Sequence, residues 1–194
     1  MSEYELIKTE NRESTQRIVQ YNSILYTASA ALLLFALERT NFVLCLTPYI
    51  VIVPLFLLNE STRKAICVGA AYLYVFLEGQ EYHWEGRHHK FDKTKKERSI
   101  KWYTDIIIRR LHYYSLNLIC SLASIYKIVC NSETVSIKLW QFAFVLVVTV
   151  VASTIMAINT TDYVTERDKA IKQWQAIKAE EEAQKRKNNN RNPQ

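Results

Sequence analysis

The side chains best suited to chemistry are concentrated in residues 78–93, which read EGQEYHWEGRHHKFDK. Imidazole and carboxylate groups bind metal ions, so His83, Glu85 and His88 are candidates to converge on one ion. Their spacing does not match a metal-binding helix such as HExxH, and a polar turn at a membrane surface explains the same residues. We therefore assign no catalytic, cofactor-binding or metal-ligating residue, and keep the stretch as a functional or structural cluster. Its members are Glu78, His83, Trp84, Glu85, Arg87, His88 and His89.

The two best-placed glutamates of this cluster also suit a structural role. Glu78 ends an apolar run and Glu85 follows Trp84, which places both carboxylates beside a membrane. A carboxylate at that depth is costly unless a basic group accompanies it. We expect ion pairs that tie this region to neighbouring helices, in preference to a catalytic pair. The candidate partners are Arg63, Arg109 and Arg110.

The helices expected to position this cluster are four apolar runs. They lie at residues 21–37, 42–58, 111–130 and 137–158. Each is long enough to cross a hydrocarbon core as a helix, although the first two are at the short end. The chain has only three Gly and three Pro, which predicts long helices with few breaks. The first run has a polar, mixed-charge sequence before it and no cleavage site after it, so we expect a retained helix and not a signal peptide. Short loops join the runs in pairs, which predicts two hairpins.

The basic residues predict the topology. Residues 1–20, 59–110 and 159–194 hold three, eleven and eight of the 25 Lys and Arg residues. The positive-inside rule places all three segments in the cytoplasm, which requires an even number of spans. The predicted fold is an all-α membrane protein with four transmembrane helices in two hairpins, cytoplasmic helical extensions and both termini cytoplasmic. Its parts are an N-terminal segment (1–20), hairpin 1 (21–58), a cytoplasmic or interfacial region (59–110), hairpin 2 (111–158), a C-terminal helix (159–187) and a disordered tail (188–194).

Residues 65–77 are a thirteen-residue apolar and aromatic run that is too short for a comfortable span. This run is a fifth span, a re-entrant or interfacial helix, or a helix packed on the cytoplasmic ends of the bundle. The charge distribution favours a segment that does not cross. Apolar residues at helical spacing predict two further amphipathic helices, which we expect to be partly buried against each other or a second subunit. These residues are Ile100, Tyr103 and Ile107 in one stripe, and Ile171, Trp174 and Ile177 in the other.

Asn117 is the candidate polar residue inside a predicted span. An isolated amide there either joins helices through hydrogen bonds or lines a pore. The spans otherwise lack internal acids, paired charges and glycine-broken half-helices, which disfavours a transporter. Cys45, Cys67, Cys120 and Cys130 match no zinc or redox motif, and we expect no structural disulfide.

The basic clusters KFDKTKKERSIK and QKRK favour a lipid surface over a nucleic acid as partner. Juxtamembrane Lys and Arg attract anionic headgroups, whereas the acidic residues interleaved with them weaken a phosphate-binding surface. The expected partners are the lipid bilayer and either a second copy of the chain or a cytoplasmic protein, with no nucleic acid and no cofactor.

The string YLYVFLEGQEYHWEGR at residues 72–87 resembles a pattern found in small bacterial multi-pass membrane proteins. In that pattern an aromatic, apolar helix ends in Phe-x-Glu and is followed by Trp-Glu and a basic residue. The matching positions are Tyr72, Phe76, Glu78, Trp84, Glu85 and Arg87. The resemblance implies a multi-pass membrane protein and supplies no mechanism.

Three functions remain open on the sequence. The first is a non-enzymatic cell-membrane protein that oligomerises or docks a partner through its cytoplasmic helices, by analogy of architecture a membrane-perturbing effector of a bacterial defence or toxin module. The second is a small channel or transporter. The third is a membrane-bound enzyme that uses the cluster between Glu78 and Asp92.

Overall fold

A computed structural model of the chain describes residues 3–77, 84–98, 110–130 and 135–191. This described part is almost entirely helical and contains no β-strand, which confirms the all-α prediction. Its elements are α1 (Glu3–Leu37), a 3-10 helix (Phe42–Leu46), α2 (Tyr49–Tyr72), a π-helical turn (Leu73–Leu77), α3 (Trp84–Arg98), α4 (Leu111–Cys130), α5 (Val135–Asn159) and α6 (Tyr163–Arg191).

Four helical stretches in the described residues are long and apolar enough to cross a membrane, as predicted. They are Glu3–Leu37, Phe42–Leu77, Leu111–Cys130 and Ile137–Asn159. A helix rises about 1.5 Å per residue, so about 20 residues cross a hydrocarbon core of about 30 Å. The first two stretches have 35 and 36 residues. They are therefore longer than a membrane requires, and each carries a polar extension.

One continuous helix contains most of the predicted N-terminal segment and the first apolar run. Residues 3–20 contain neither Gly nor Pro, and α1 passes through them into the apolar run without a break. Residues 65–77 likewise do not form a separate helix. They continue α2 as far as Tyr72 and end in the π-helical turn Leu73–Leu77. Pro54 lies inside α2, and Pro48 immediately precedes its first turn.

The chain divides into two compact units. The apolar unit comprises Gln16–Ser61 and Tyr103–Thr160, and the polar unit comprises Met1–Thr15, Thr62–Trp102 and Thr161–Gln194. The three segments of the polar unit hold two, nine and eight Lys and Arg residues, which together are 19 of the 25 in the chain. The division therefore separates charge from apolar sequence.

Within the apolar unit, α4 packs against α5 and the 3-10 helix. Its core includes Leu25, Ile52, Phe56, Tyr113 and Met156. Large apolar side chains also cover its outside, and Trp140 and Ile158 are each 78% exposed. Exposed apolar surface on this scale is unfavourable in water and suits a lipid environment.

The polar unit has its own small core. Ala71 of α2 packs with Ala170 and Ile171 of α6, and Val75 and Trp174 cover this contact. The Ile171/Trp174 part of the predicted stripe on α6 is thus packed, whereas Ile177 is 41% exposed. The partner of this stripe is the end of α2. The other predicted stripe, Ile100, Tyr103 and Ile107, lies outside the described residues.

Candidate functional site

An ion pair and a hydrogen-bonded pair join α3 to α6 in the polar unit. Glu85 Oε2 accepts a hydrogen bond from Arg167 Nη2 at 2.7 Å, and the same nitrogen donates to the Glu85 carbonyl oxygen at 2.9 Å. One turn further along α3, His89 Nε2 lies 2.9 Å from Asp168 Oδ1. The side chains of Arg167 and His89 are only 9% and 12% exposed. Both pairs therefore act as a half-buried clamp between two helices.

The end of α2 is also attached to α6. A π-helical turn widens the helix and frees backbone carbonyl groups, which need other donors. Lys178 Nζ donates to the carbonyl oxygen of Val75 at 2.8 Å and lies 5.7 Å from the centre of the Phe76 ring. Trp174 packs edge-on against Tyr72, and its indole N–H donates to the Val68 carbonyl oxygen at 3.3 Å.

A pocket with a volume of about 280 Å³ opens between four helices of the polar unit. We call it the polar-unit pocket. Its walls carry charged, polar and apolar groups, so it combines features of a small-molecule site. The lining residues are Asn11, Arg12 and Thr15 of α1; Ile66, Cys67 and Ala70 of α2; Glu85, His88, His89 and Asp92 of α3; and Tyr163, Val164 and Arg167 of α6.

The structure brings part of the predicted cluster together. Glu85, His88 and His89 line the polar-unit pocket, whereas Arg87 is exposed and does not line it. Glu78, His83 and the side chain of Trp84 lie outside the described residues. Within the described part of the chain, no three His, Cys, Asp or Glu side chains are grouped closely enough to hold a metal ion.

The structure gives Glu85 a basic partner that the sequence did not point to. Arg167 takes that place, and Arg110 pairs with Glu60 instead. The sequence-based candidates came from residues 59–110, the region nearest to the glutamate along the chain. Arg167 lies 82 residues away, and only the packing of α6 against α3 brings it close.

The apolar unit contains a buried ion pair that the sequence analysis missed. Arg110 Nε and Nη2 donate to Glu60 Oε1 and Oε2, each at 2.7 Å, in a two-pronged arrangement. The side chains of Arg110 and Glu60 are only 2% and 4% exposed. Burial of a charged group is unfavourable unless the charge is paired and hydrogen-bonded, and this arrangement meets both conditions. The predicted second span ends at Leu58, and Glu60 lies two residues beyond it. The buried pair is therefore just outside the segments in which no paired charges were expected.

Polar groups continue from this ion pair to the neighbouring helices of the apolar unit. Asn59 Nδ2 donates to Asn22 Oδ1 at 2.9 Å and to the hydroxyl of Tyr113. His112 Nε2 lies 3.3 Å from the same Asn22 oxygen. These contacts join α1, α2 and α4 at one level. A signal was present in the sequence, because Asn59 and Glu60 directly follow an apolar run.

Asn117 of α4 lies in a second polar cluster of the apolar unit and is 3% exposed. The Tyr49 hydroxyl donates to its side-chain and backbone oxygens, and its Nδ2 donates to Ser153 Oγ at 2.8 Å. Ser121 Oγ bonds Thr149 Oγ1 at 2.8 Å beside it. The amide therefore joins three helices through hydrogen bonds.

The comparisons with known proteins found no match. No protein-family model, curated protein or solved structure matches the chain. The class that the fold defines is an all-helical protein with four helices able to cross a membrane.

Proposed function

We propose that the protein is a cell-membrane protein with four spans in two hairpins and with both termini in the cytoplasm. Residues 38–41 join α1 to the 3-10 helix in a tight turn, in which the Asn41 side chain accepts from the Val43 N–H at 3.0 Å. Most Lys and Arg residues lie in the polar unit, which fits a cytoplasmic position by the positive-inside rule.

Single cysteines test this topology in a variant without Cys45, Cys67, Cys120 and Cys130. Positions 39–41 and 132–135 are expected to react with an impermeant thiol reagent added outside intact cells. Positions 10, 95 and 185 are expected to react only after the membrane is opened. Reaction of position 95 from outside would overturn the four-span topology.

Within that topology, we propose that the polar unit is a non-enzymatic docking surface. This proposal rests on the contacts that Glu85 and His89 make with α6. Each is engaged with a basic or acidic group of α6, so the residues that suited catalysis hold two helices together.

The expected occupant of this surface is a second copy of the chain. Ile177 extends the packed stripe of α6 but is 41% exposed, which leaves an apolar residue for a partner to cover. In the cysteine-free background, Ile177→Cys is expected to form a disulfide-linked dimer when native membranes are treated with an added thiol oxidant such as copper phenanthroline. Lys172→Cys, also exposed on α6, is the matched control. Equal cross-linking at both positions, or none at position 177, would contradict the proposal.

A membrane-perturbing effector is a specific form of this function. Its test is dye release from liposomes that contain the purified protein. Release that rises with protein density is the expected result for an effector that acts as an assembly. Liposomes that stay sealed at every density would remove this form while leaving the docking surface in place.

The buried ion pair of the apolar unit favours a transporter as the second candidate function. Ionisable groups within membrane segments often mark ion or substrate pathways. The buried pair of Glu60 and Arg110 directly adjoins two of the predicted spans. Ion flux into proteoliposomes tests this candidate. Flux no greater than in protein-free liposomes would leave the pair a structural role.

A further inference from the structure

The polar-unit pocket is not used by the proposed docking function. It lies wholly within the polar unit, so an inference about it does not depend on the number of spans or on a partner protein. Its volume of about 280 Å³ is near the low end of about 300–1,000 Å³ that is usual for ligand sites. The pocket therefore suits a small molecule.

One cation of the pocket has no partner. Arg12 of α1 lines the pocket and makes no hydrogen bond or ion pair with the described part of the chain. Its guanidinium group can present two parallel N–H donors to a carboxylate or phosphate group. Arg12 therefore supplies an unused anion-binding group at the wall of the pocket.

A second arginine in the same wall is only partly satisfied. Arg167 is 7% exposed, and its Nη2 is engaged by Glu85. Its Nε atom is buried and has no hydrogen-bond partner among the described residues. A buried donor without an acceptor is unfavourable, and an anion that draws the guanidinium group toward the pocket would provide one.

The pocket also holds a weakly paired carboxylate. Asp92 of α3 has a side chain that is 29% exposed, and its Oδ2 lies 3.8 Å from His88 Nε2, beyond hydrogen-bond range. The other lining carboxylate, Glu85, is already held by Arg167. The cation Arg12 and the weakly paired anion Asp92 are thus left for a ligand.

We propose that the polar-unit pocket binds a small zwitterion, a molecule that joins an anionic phosphate group to a primary amine over a short chain. Arg12, with Arg167 behind it, holds the phosphate group, and Asp92 accepts from the ammonium group. The aliphatic side chains of Ile66, Ala70 and Val164 line the pocket beside them and contact the connecting carbons. A simple anion or a simple cation engages only one of Arg12 and Asp92, so each is expected to bind less tightly than a ligand that carries both charges.

Calorimetric titration of the full chain in detergent tests this site with three probes. Phosphoethanolamine carries both groups, whereas inorganic phosphate and ethanolamine carry one each. Phosphoethanolamine is expected to bind at least about tenfold more tightly than either half, because only it engages both Arg12 and Asp92. Equal affinities for all three probes, or no heat from phosphoethanolamine, would overturn the proposal.

Three variants connect that binding to the pocket. Arg12→Gln and Asp92→Asn are each expected to weaken phosphoethanolamine binding by about tenfold or more. Arg186→Gln removes the same charge from an exposed position of α6 outside the pocket and is expected to leave the affinity unchanged. All three positions are at least partly exposed, so the variants are expected to fold, which circular dichroism verifies. Equal losses in Arg12→Gln and Arg186→Gln would show a general charge effect and overturn the site.

The same zwitterion occurs free and as a lipid headgroup, and nanodiscs distinguish these sources. If phosphatidylethanolamine nanodiscs weaken phosphoethanolamine binding relative to phosphatidylglycerol nanodiscs, the site takes a lipid headgroup. If the two nanodiscs give the same affinity, the site takes the free molecule. Both results support the zwitterion site, while loss of all binding in both nanodiscs would overturn it.

Discussion

Separating Glu60 from Arg110 is expected to destabilise the protein more than any surface change. We propose to compare Glu60→Met, Arg110→Met and the double variant with the unmodified chain. Each single variant leaves one charge buried where its partner was. The double variant replaces both charges by apolar side chains of similar length.

The structure sets the size of the effect. Both side chains are at most 4% exposed, so the remaining charge in a single variant cannot easily reach water. Breaking a buried pair in this way costs about 3–5 kcal/mol, whereas replacing both partners is often neutral or stabilising. For a chain of this size about 1 kcal/mol shifts the melting temperature by roughly 2–4 °C. Each single variant should therefore melt roughly 6–20 °C lower.

Size-exclusion chromatography after heating in detergent measures these melting temperatures. The exposed pair between Glu166 and Lys169 is the matched control, because its side chains are 31% and 63% exposed. Glu166→Met is expected to cost about 0–1 kcal/mol. If either single variant of the buried pair melts within about 2 °C of the unmodified chain, the pair does not hold the apolar unit together. If the double variant melts as low as the single variants, the charges themselves are not responsible.

Three further predictions concern other contacts. Trp174→Ala is expected to cost about 2 kcal/mol, below the 3–5 kcal/mol of a fully buried aromatic, and to speed hydrogen exchange in α6. Lys172→Ala, at an exposed position of the same helix, should change neither, and equal effects would contradict the packing on Tyr72. Glu85→Lys is expected to lower the melting temperature and Glu85→Lys with Arg167→Glu to restore part of it; a double variant no more stable than the single one would argue against the α3–α6 clamp. Asn117→Leu is expected to cost about 1–2 kcal/mol without loss of membrane insertion, because hydrogen bonds between membrane helices contribute modestly; a loss as large as that of Arg110→Met would refute this ranking.

Much of the fold follows from the sequence for a local physical reason. Apolar runs of span length, with few Gly or Pro residues, have no stable alternative to a helix in lipid, because every backbone hydrogen bond must be made within the segment. The four span-length helices could therefore be predicted from the order of residues. The full length of α1 and α2 was harder to predict. Both helices continue past the point at which the sequence changes between apolar and polar residues.

Part of the candidate site was also predictable. Glu85, His88 and His89 stand out because ionisable side chains are crowded near an apolar run. Asn117 stands out because an amide inside a span needs a partner. The type of each residue is thus enough to show that it must make a polar contact, and the structure agrees for Glu85 and Asn117.

The identity of each partner was decided only by the tertiary structure. Glu85 meets Arg167, which lies 82 residues away along the chain, and Arg110 is used by Glu60. The sequence specifies that a buried carboxylate needs a cation, but it offers 25 Lys and Arg residues. The packing of helices that are far apart along the chain selects one of them, because an ion pair requires atoms within about 4 Å and sequence distance does not set that separation.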